Sequence, residues 1–261
     1  MDLASLIGLI AGVVLIILSM IFAGGPAAPM AFIDPASIMI SIGGPIAALM
    51  VSLPLPKVIK GLSSIKIVLI PPKFDTVEAI NRIITLSNLA RREGVLALEG
   101  PAQEMDDPFL RKGVMLIVDG ADPELVRSVL ETEMAFVEAR HKEVIGVWDM
   151  LAGLGPGWGM IGTMISLVLM MENLQDIDLL AAGMAIAMLT TFYGAIIANF
   201  FAIPFSKKLS TWNSEEMLLK EVLIEGMLSI QAGENPRIIE EKLKAFLAPA
   251  LRTTSADGGG E

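Results

Sequence analysis

Apolar residues along this 261-residue chain gather into four long blocks, with polar segments of very unequal length between them. Residues 3–22, 35–56, 150–171 and 179–206 contain no Asp, Glu, Lys, Arg or His and are 20, 22, 22 and 28 residues long. A helix needs about 20 such residues to cross ~30 Å of hydrocarbon. A soluble core can hide one block of this kind but not four. The pattern therefore predicts an all-α, polytopic membrane protein with four transmembrane helices. The expected organisation is a transmembrane hairpin over 1–56 (spans 3–22 and 35–56), a helical cytoplasmic domain over 57–149, and a second hairpin over 150–206 (spans 150–171 and 179–206). Cytoplasmic helices over 207–251 and a disordered tail over 252–261 complete it.

The polar segments read as helices too. Asp75-Thr76-Val77-Glu78 has capping-box spacing, and Val77, Ile80 and Ile84 follow on one face, so a helix is expected from there to about Arg92, stopping near Gly94. Val95 to Glu104 is expected to be interrupted at Gly100-Pro101. Phe109 to Val118 is apolar and ends at Asp119-Gly120. Asp122-Pro123-Glu124 combines an N-cap, a first-turn proline and an acid at the positive dipole end. Leu125, Val129, Phe136 and Val137 keep helical spacing beyond it, which predicts one long helix running into the third span. Trp212 to Gln231 continues the fourth span, Gly233 ends it, and Asn235-Pro236 starts a last helix to about Leu247.

Composition sharpens this picture. Hydrophobic residues make up 54% of the chain and charged residues only 18%. The net charge of −10 disfavours nucleic acid as a partner. There is no cysteine and one histidine, His141, so thiolate or imidazole metal sites and cysteine nucleophiles are excluded. No nucleophile–base pair is visible, so neither an enzyme nor a bound cofactor is expected. The 17 methionines read as core and lipid-facing filler. The first block follows an acidic Met1-Asp2 rather than a basic n-region and reads as a retained anchor.

Basic residues set the expected orientation. The four connecting or trailing segments, in chain order, carry 0, 12, 0 and 7 Lys and Arg. Lys57, Lys60, Lys66 and Lys73 follow the second block, Arg140 and Lys142 precede the third, and Lys207 and Lys208 follow the fourth. By the positive-inside rule both termini and the two long segments are cytoplasmic. The short connections carry only Asp34, Glu172, Asp176 and Asp178 and face outward.

None of the four blocks has an ionisable side chain, although such groups are what usually mark transport paths in a bilayer. A protein of this kind has no group of its own to take up and release a proton at depth; a titrating carboxylate would have to come from another subunit. Polar side chains do occur at depth: Thr163 and Ser166 in the third block, and Thr190, Thr191, Tyr193 and Asn199 in the fourth. Thr163 and Thr191 lie about 20 and about 22 Å from the cytoplasmic ends of antiparallel spans at 1.5 Å per residue, which puts them at one level. Gly153/Gly157 and Gly155/Gly159 are small-xxx-small pairs suited to close helix approach. Pro156 and Pro204 each remove a helical N–H near the cytoplasmic side, where a bend would couple membrane and cytoplasmic helices.

These residues resemble the MotA/PomA family, the A subunit of the bacterial flagellar stator. The run from Ala187-Met188-Leu189-Thr190-Thr191 through Phe192-Tyr193-Gly194-Ala195-Ile196, with Pro204 following, is similar to the family's fourth-span signature. Pro156-Gly157-Trp158-Gly159-Met160-Ile161-Gly162-Thr163 resembles its third-span motif. Arg91-Arg92-Glu93-Gly94-Val95-Leu96-Ala97-Leu98-Glu99 resembles its cytoplasmic motif. The resemblance implies a homopentameric ring in the bacterial inner membrane around MotB/PomB-type partner helices, each supplying a transmembrane Asp, with torque delivered to the rotor protein FliG. It implies that Thr163, Thr190 and Thr191 belong to the ion path, that Pro156 and Pro204 serve conformational coupling, and that Arg91 and Glu99 contact the rotor. Sodium-driven members typically carry Thr at the position of Thr163 and several proton-driven ones carry Ala, so the resemblance leans to sodium over protons as the transported ion. The competing readings are an ExbB/TolQ-type energiser, whose members usually lack the first hairpin, and a purely structural four-span scaffold.

Overall fold

The computed structural model describes residues 2–249, and among these all regular structure is helical, with no strand. The tail expected over 252–261 lies outside the described residues. Ten helices are used below. They are α1 (Leu3–Gly24), α2 (Pro35–Ser52), α3 (Leu55–Ser63), α4 (Ile65–Leu69) and α5 (Thr76–Glu93), then α6 (Glu99–Gln103), α7 (Pro108–Val118), α8 (Pro123–Glu172), α9 (Ile177–Gln231) and α10 (Pro236–Lys244). Four of them, α1, α2, α8 and α9, are long and apolar enough to cross a membrane.

The chain divides into two compact units. One joins the described part of Met1–Pro72 to His141–Thr211, and the other joins Lys73–Arg140 to the described part of Trp212–Glu261. Residues 57–72 and 141–149, expected in the cytoplasmic domain, thus pack with the spanning helices. Trp148 is one reason: its indole N–H donates to the Ser64 hydroxyl at 2.9 Å and its ring meets Phe205 edge-on at 5.0 Å.

In the spanning unit, α2 ends at Ser52, short of the expected Pro56. Leu53 is extended and Pro54, which cannot continue a helix, opens α3. Both α2 and α9 contain a wide π-type turn, Met39–Gly43 and Ile197–Ala202, each followed after one residue by a proline, Pro45 or Pro204. A proline ring collides with the carbonyl four residues back, and a wider turn moves that carbonyl aside. Pro156 is handled differently, since α8 continues through it as an α-helix. Close approach is made by glycine: a Cβ on Gly44 would lie 2.1 Å from the Trp158 ring, and one on Gly61 would lie 2.6 Å from Val147.

The other unit is built on Ile83 of α5, Leu110 and Val114 of α7, Val126 and Leu130 of α8, Leu223 and Met227 of α9, and Ile239 and Leu243 of α10, all buried. Each contributes roughly 1.5–3 kcal/mol of burial relative to exposure. Asp75 caps α5 by accepting from the Glu78 N–H at 2.9 Å, and Gly94, at φ +89°, ends it. Glu78 pairs with Arg82 rather than reaching back to residue 75, so the box closes on one side. Gly100-Pro101 does not interrupt a helix: the two residues form the first turn of α6. The last helix ends at Lys244, a few residues earlier than expected.

Candidate functional site

The Thr163 and Thr191 hydroxyl oxygens stand 2.7 Å apart, a hydrogen bond between facing spans. Thr163 Oγ1 also lies 3.1 Å from the Gly159 carbonyl and 3.0 Å from the Ala187 carbonyl, while Thr191 Oγ1 is 3.3 Å from the same Ala187 oxygen. Thr190 donates to that oxygen too, at 3.0 Å. One carbonyl thus gathers three hydroxyls, which have a single proton each to give. The result is a knot of oxygens whose hydrogen bonds can be redistributed without moving the backbone.

Glycine permits the approach. A Cβ on Gly159 would lie 2.8 Å from the Thr190 carbonyl oxygen, one on Gly155 2.9 Å from that of Gly194, and one on Gly194 2.5 Å from that of Gly155. Gly162 lies against the Thr190 side chain. Of the two small-xxx-small pairs, Gly155/Gly159 therefore forms the seam between α8 and α9. Gly153 and Gly157 have nothing within 4 Å of a Cβ position and stand on the opposite, open face.

That open face is continuous. On α8 it runs through Gly153, Pro156, Gly157, Met160 and Met164, and on α9 through Met188, Thr191, Ala195 and Asn199, all exposed. The half-buried Thr163 joins the two stripes by its bond to Thr191. Pro156, seven residues before Thr163 on the same stripe, leaves the Ala152 carbonyl without its helical donor. Pro204 is also exposed, just past the wide turn. Thr190 is not on this face. It is fully buried in the seam, and its carbonyl accepts from the Ser41 hydroxyl at 2.9 Å.

Arg91 and Glu99 lie in the other unit. Arg91 is in the last turn of α5, Glu99 at the first position of α6, and both are exposed. Among the described residues neither takes part in an ion pair. Between them Leu96 is 70% exposed while Leu98 is fully buried, so one leucine anchors the segment and the other is presented with the charges.

Sequence reasoning passed over Ser37 and Ser41 on α2. Both are fully buried, and Ser41 bonds Thr190 O while Ser37 reaches Ile186 O at 3.5 Å. The signal was two serines four apart in an otherwise apolar span. It also passed over Asp149, which accepts from the Ser206 hydroxyl, and over the Asp2–Lys208 pair at 2.5 Å.

The fold and this face define an all-helical, four-span membrane protein with a hydroxyl-bearing surface free of ionisable groups. A profile described as the MotA/TolQ/ExbB proton channel family matches residues 101–222. Motility protein A of Borreliella burgdorferi is 39% identical over 262 residues, covering 100% of both chains. Chemotaxis protein PomA of Vibrio alginolyticus is 36% identical over 258 residues, covering 98% of this chain and 100% of that one. A chain in the structure of the flagellar MotAB stator complex from Bacillus subtilis superposes with a TM-score of 0.88 at 30% identity, over 97% of this chain and 98% of that one. The chain belongs to the MotA/PomA family of flagellar stator A subunits. It is accordingly a channel component and not an enzyme, and the energiser alternative is not favoured, because similarity to motility proteins extends over the whole length.

Proposed function

We propose that this chain, five copies strong, surrounds a pair of MotB/PomB-type helices in the bacterial inner membrane, with both its termini cytoplasmic. Each partner helix lies on the open face of α8 and α9 and brings an Asp to the level of Thr163 and Thr191. Protons or sodium ions pass that Asp, and the flow is converted into torque on FliG through Arg91 and Glu99. Similarity to a chain of a MotAB complex supports a partner of this kind. The observation that carries the reading is the Thr163–Thr191 pair on a face that has oxygens and no acid of its own. An acid lent to that face would meet hydroxyls that can exchange their present carbonyl bonds to donate to its charged form or accept from its neutral form. Thr190 would act from behind, fixing the Ala187 and Thr190 carbonyls, rather than in the path itself.

Sodium is the favoured ion. It takes several oxygen ligands, and two hydroxyls, the Ala187 carbonyl and a partner carboxylate would offer them. Pro156 and Pro204 would transmit the change, the first through the carbonyl it frees on the partner-facing stripe, the second through the wide turn before it.

The test is swimming in cells that have this chain as their sole A subunit. Speed is expected to rise with external sodium, and Thr191→Ala is expected to abolish swimming with the protein still in the membrane. Sodium-independent swimming would replace sodium by protons. Full motility of the Thr191→Ala strain would remove the face from the ion path.

A further inference from the structure

The first span has no buried residue, yet it is tied to the fourth at two levels. At Gly12 the Phe200 ring lies so close that a Cβ would stand 2.2 Å from it. At its start, the Asp2 carboxylate accepts from the Ser5 hydroxyl at 2.6 Å and pairs with Lys208 at 2.5 Å, while the Asp2 N–H donates to the Leu69 carbonyl at 3.0 Å. Between the two ties lies a groove of about 330 Å³ walled by Gly8, Leu9, Val68, Phe200, Pro204 and Phe205. Its polar end is Ser5 and Lys208.

An apolar slot between membrane spans with one polar end has the form of a phospholipid: an alkyl chain below, a headgroup above. The polar end also selects the headgroup. Lys208 and Ser5 hold the Asp2 carboxyl down to about 2, so it is ionised under any physiological condition and is an acceptor for a cationic group on the headgroup, which an anionic headgroup without an ammonium does not supply. Asp2 and Lys208 side by side offer one acceptor anion and one donor cation, which complement a phosphate joined to a primary ammonium. A quaternary ammonium has no N–H to give Asp2.

We propose that this groove binds one acyl chain of phosphatidylethanolamine, its phosphate directed to Lys208 and Ser5 and its ammonium to Asp2. The groove lies off the Thr163–Thr191 face but shares Phe200 and Pro204 with the turn and proline proposed above to transmit the change. Its test reads lipid binding alone, so its failure would leave the ion-path reading standing.

Trp148 is a built-in reporter, because its ring contacts Phe205 in the groove wall. The full chain with Trp158→Phe and Trp212→Phe is reconstituted in phosphatidylcholine and titrated with lipids brominated on the upper part of one chain. Brominated phosphatidylethanolamine is expected to quench Trp148 at about fivefold lower content than brominated phosphatidylglycerol, the order of one charge contact at a membrane surface. Gly8→Leu, whose side chain enters space with no atom within 4 Å of its Cβ position, is expected to abolish the quenching. Asp2→Asn is expected to turn the preference toward phosphatidylglycerol. Should Gly8→Leu fail to accumulate, unbrominated phosphatidylethanolamine must relieve the quenching by competition. Three outcomes overturn the site: quenching untouched by Gly8→Leu or by competitor, equal response to the two headgroups, and no quenching at all, as when a second copy covers the groove.

Discussion

The hydroxyl of Thr163 meets that of Thr191 at 2.7 Å, and both reach the Ala187 carbonyl. A hydroxyl at 163 therefore bonds neighbours that a methyl group cannot. Thr163→Ser keeps the oxygen and is expected to preserve swimming. On the proposed reading Thr163→Ala removes one of the oxygens offered to a cation, and the external sodium giving half-maximal speed is expected to rise by about tenfold, the equivalent of roughly 1.4 kcal/mol, at the upper end of the range for one polar interaction. Speed against sodium concentration in the two strains is the measurement, and equal curves would show that residue 163 does not contact the ion.

Glycines on opposite sides of α8 are expected to respond in opposite ways. Gly155→Ala and Gly159→Ala push a methyl group against backbone oxygens at 2.9 and 2.8 Å, and backbone cannot rotate away as a side chain does. About 1–3 kcal/mol of overpacking is expected at each. Gly153→Ala and Gly157→Ala enter open space and should leave the isolated chain as stable as before. Thermal melting of the purified variants in detergent separates the two pairs. If the open face receives a partner helix, Gly157→Ala should also impair motility without lowering the melting temperature.

How these glycines sort shows where a sequence is legible and where it is not. The absence of charge over four blocks, the Asp75 cap, the stop at Gly94 and the unbroken helix Pro123–Glu172 were all readable, because each follows from burial or from one residue's backbone chemistry. The level of Thr163 and Thr191 was readable from helical rise alone. Which glycine pair forms the seam was not, since residues 153/157 and 155/159 have the same spacing and differ only in the rotation of α8 about its axis. The same rotation hid Thr190 in the seam while exposing Thr191. The wide turns before Pro45 and Pro204, against the unbroken passage of Pro156, are likewise tertiary outcomes of identical local chemistry.

Ser41 lies behind this site, and on the proposed reading it positions it. Its buried hydroxyl donates to Thr190 O at 2.9 Å, one residue from Thr191. Ser41→Ala is expected to cost about 0.6 kcal/mol, the average for such bonds in membrane proteins. So small a loss leaves the fold intact. A weakened hold on the Thr190 carbonyl should nonetheless shift the sodium dependence of swimming, and Ser41→Thr, which restores a hydroxyl, should restore it. A slower motor with an unchanged sodium curve would assign Ser41 to packing alone.

Arg91 and Glu99 offer a cleaner separation of function from stability. Both are exposed and neither is in an ion pair among the described residues, so Arg91→Ala and Glu99→Ala are each expected to change stability by less than about 0.5 kcal/mol. On the rotor-contact reading, reversing either charge should depress swimming far more than stability. Melting temperature and swimming speed measured on the same variants decide it, and normal motility after reversal of both charges would return the pair to the role of a solvated surface.

Glu225 on α9 links acidity to the stability of the unit around it. Its hydrogen bond to Lys242 of α10, with the charges of Lys242 and Arg127 in support, lowers its pKa below the ordinary 4.5, and Lys242 is raised above 10.5 in turn. A carboxylate with a depressed folded pKa contributes stability that is complete above 4.5 and is lost as pH falls through the lower folded value. A lysine with a raised pKa contributes below 10.5 and loses its share as pH rises through its folded value. Because Lys242 is 40% exposed, solvent screening holds the pair to no more than about 1 kcal/mol. Glu225→Gln is therefore expected to lower the melting temperature of the purified chain slightly at neutral pH. The difference from wild type should shrink to nothing as pH drops well below 4.5, where the wild-type carboxyl is protonated as well. A difference that persists unchanged into acid would mean that Glu225 acts through packing of its side chain and not through its charge.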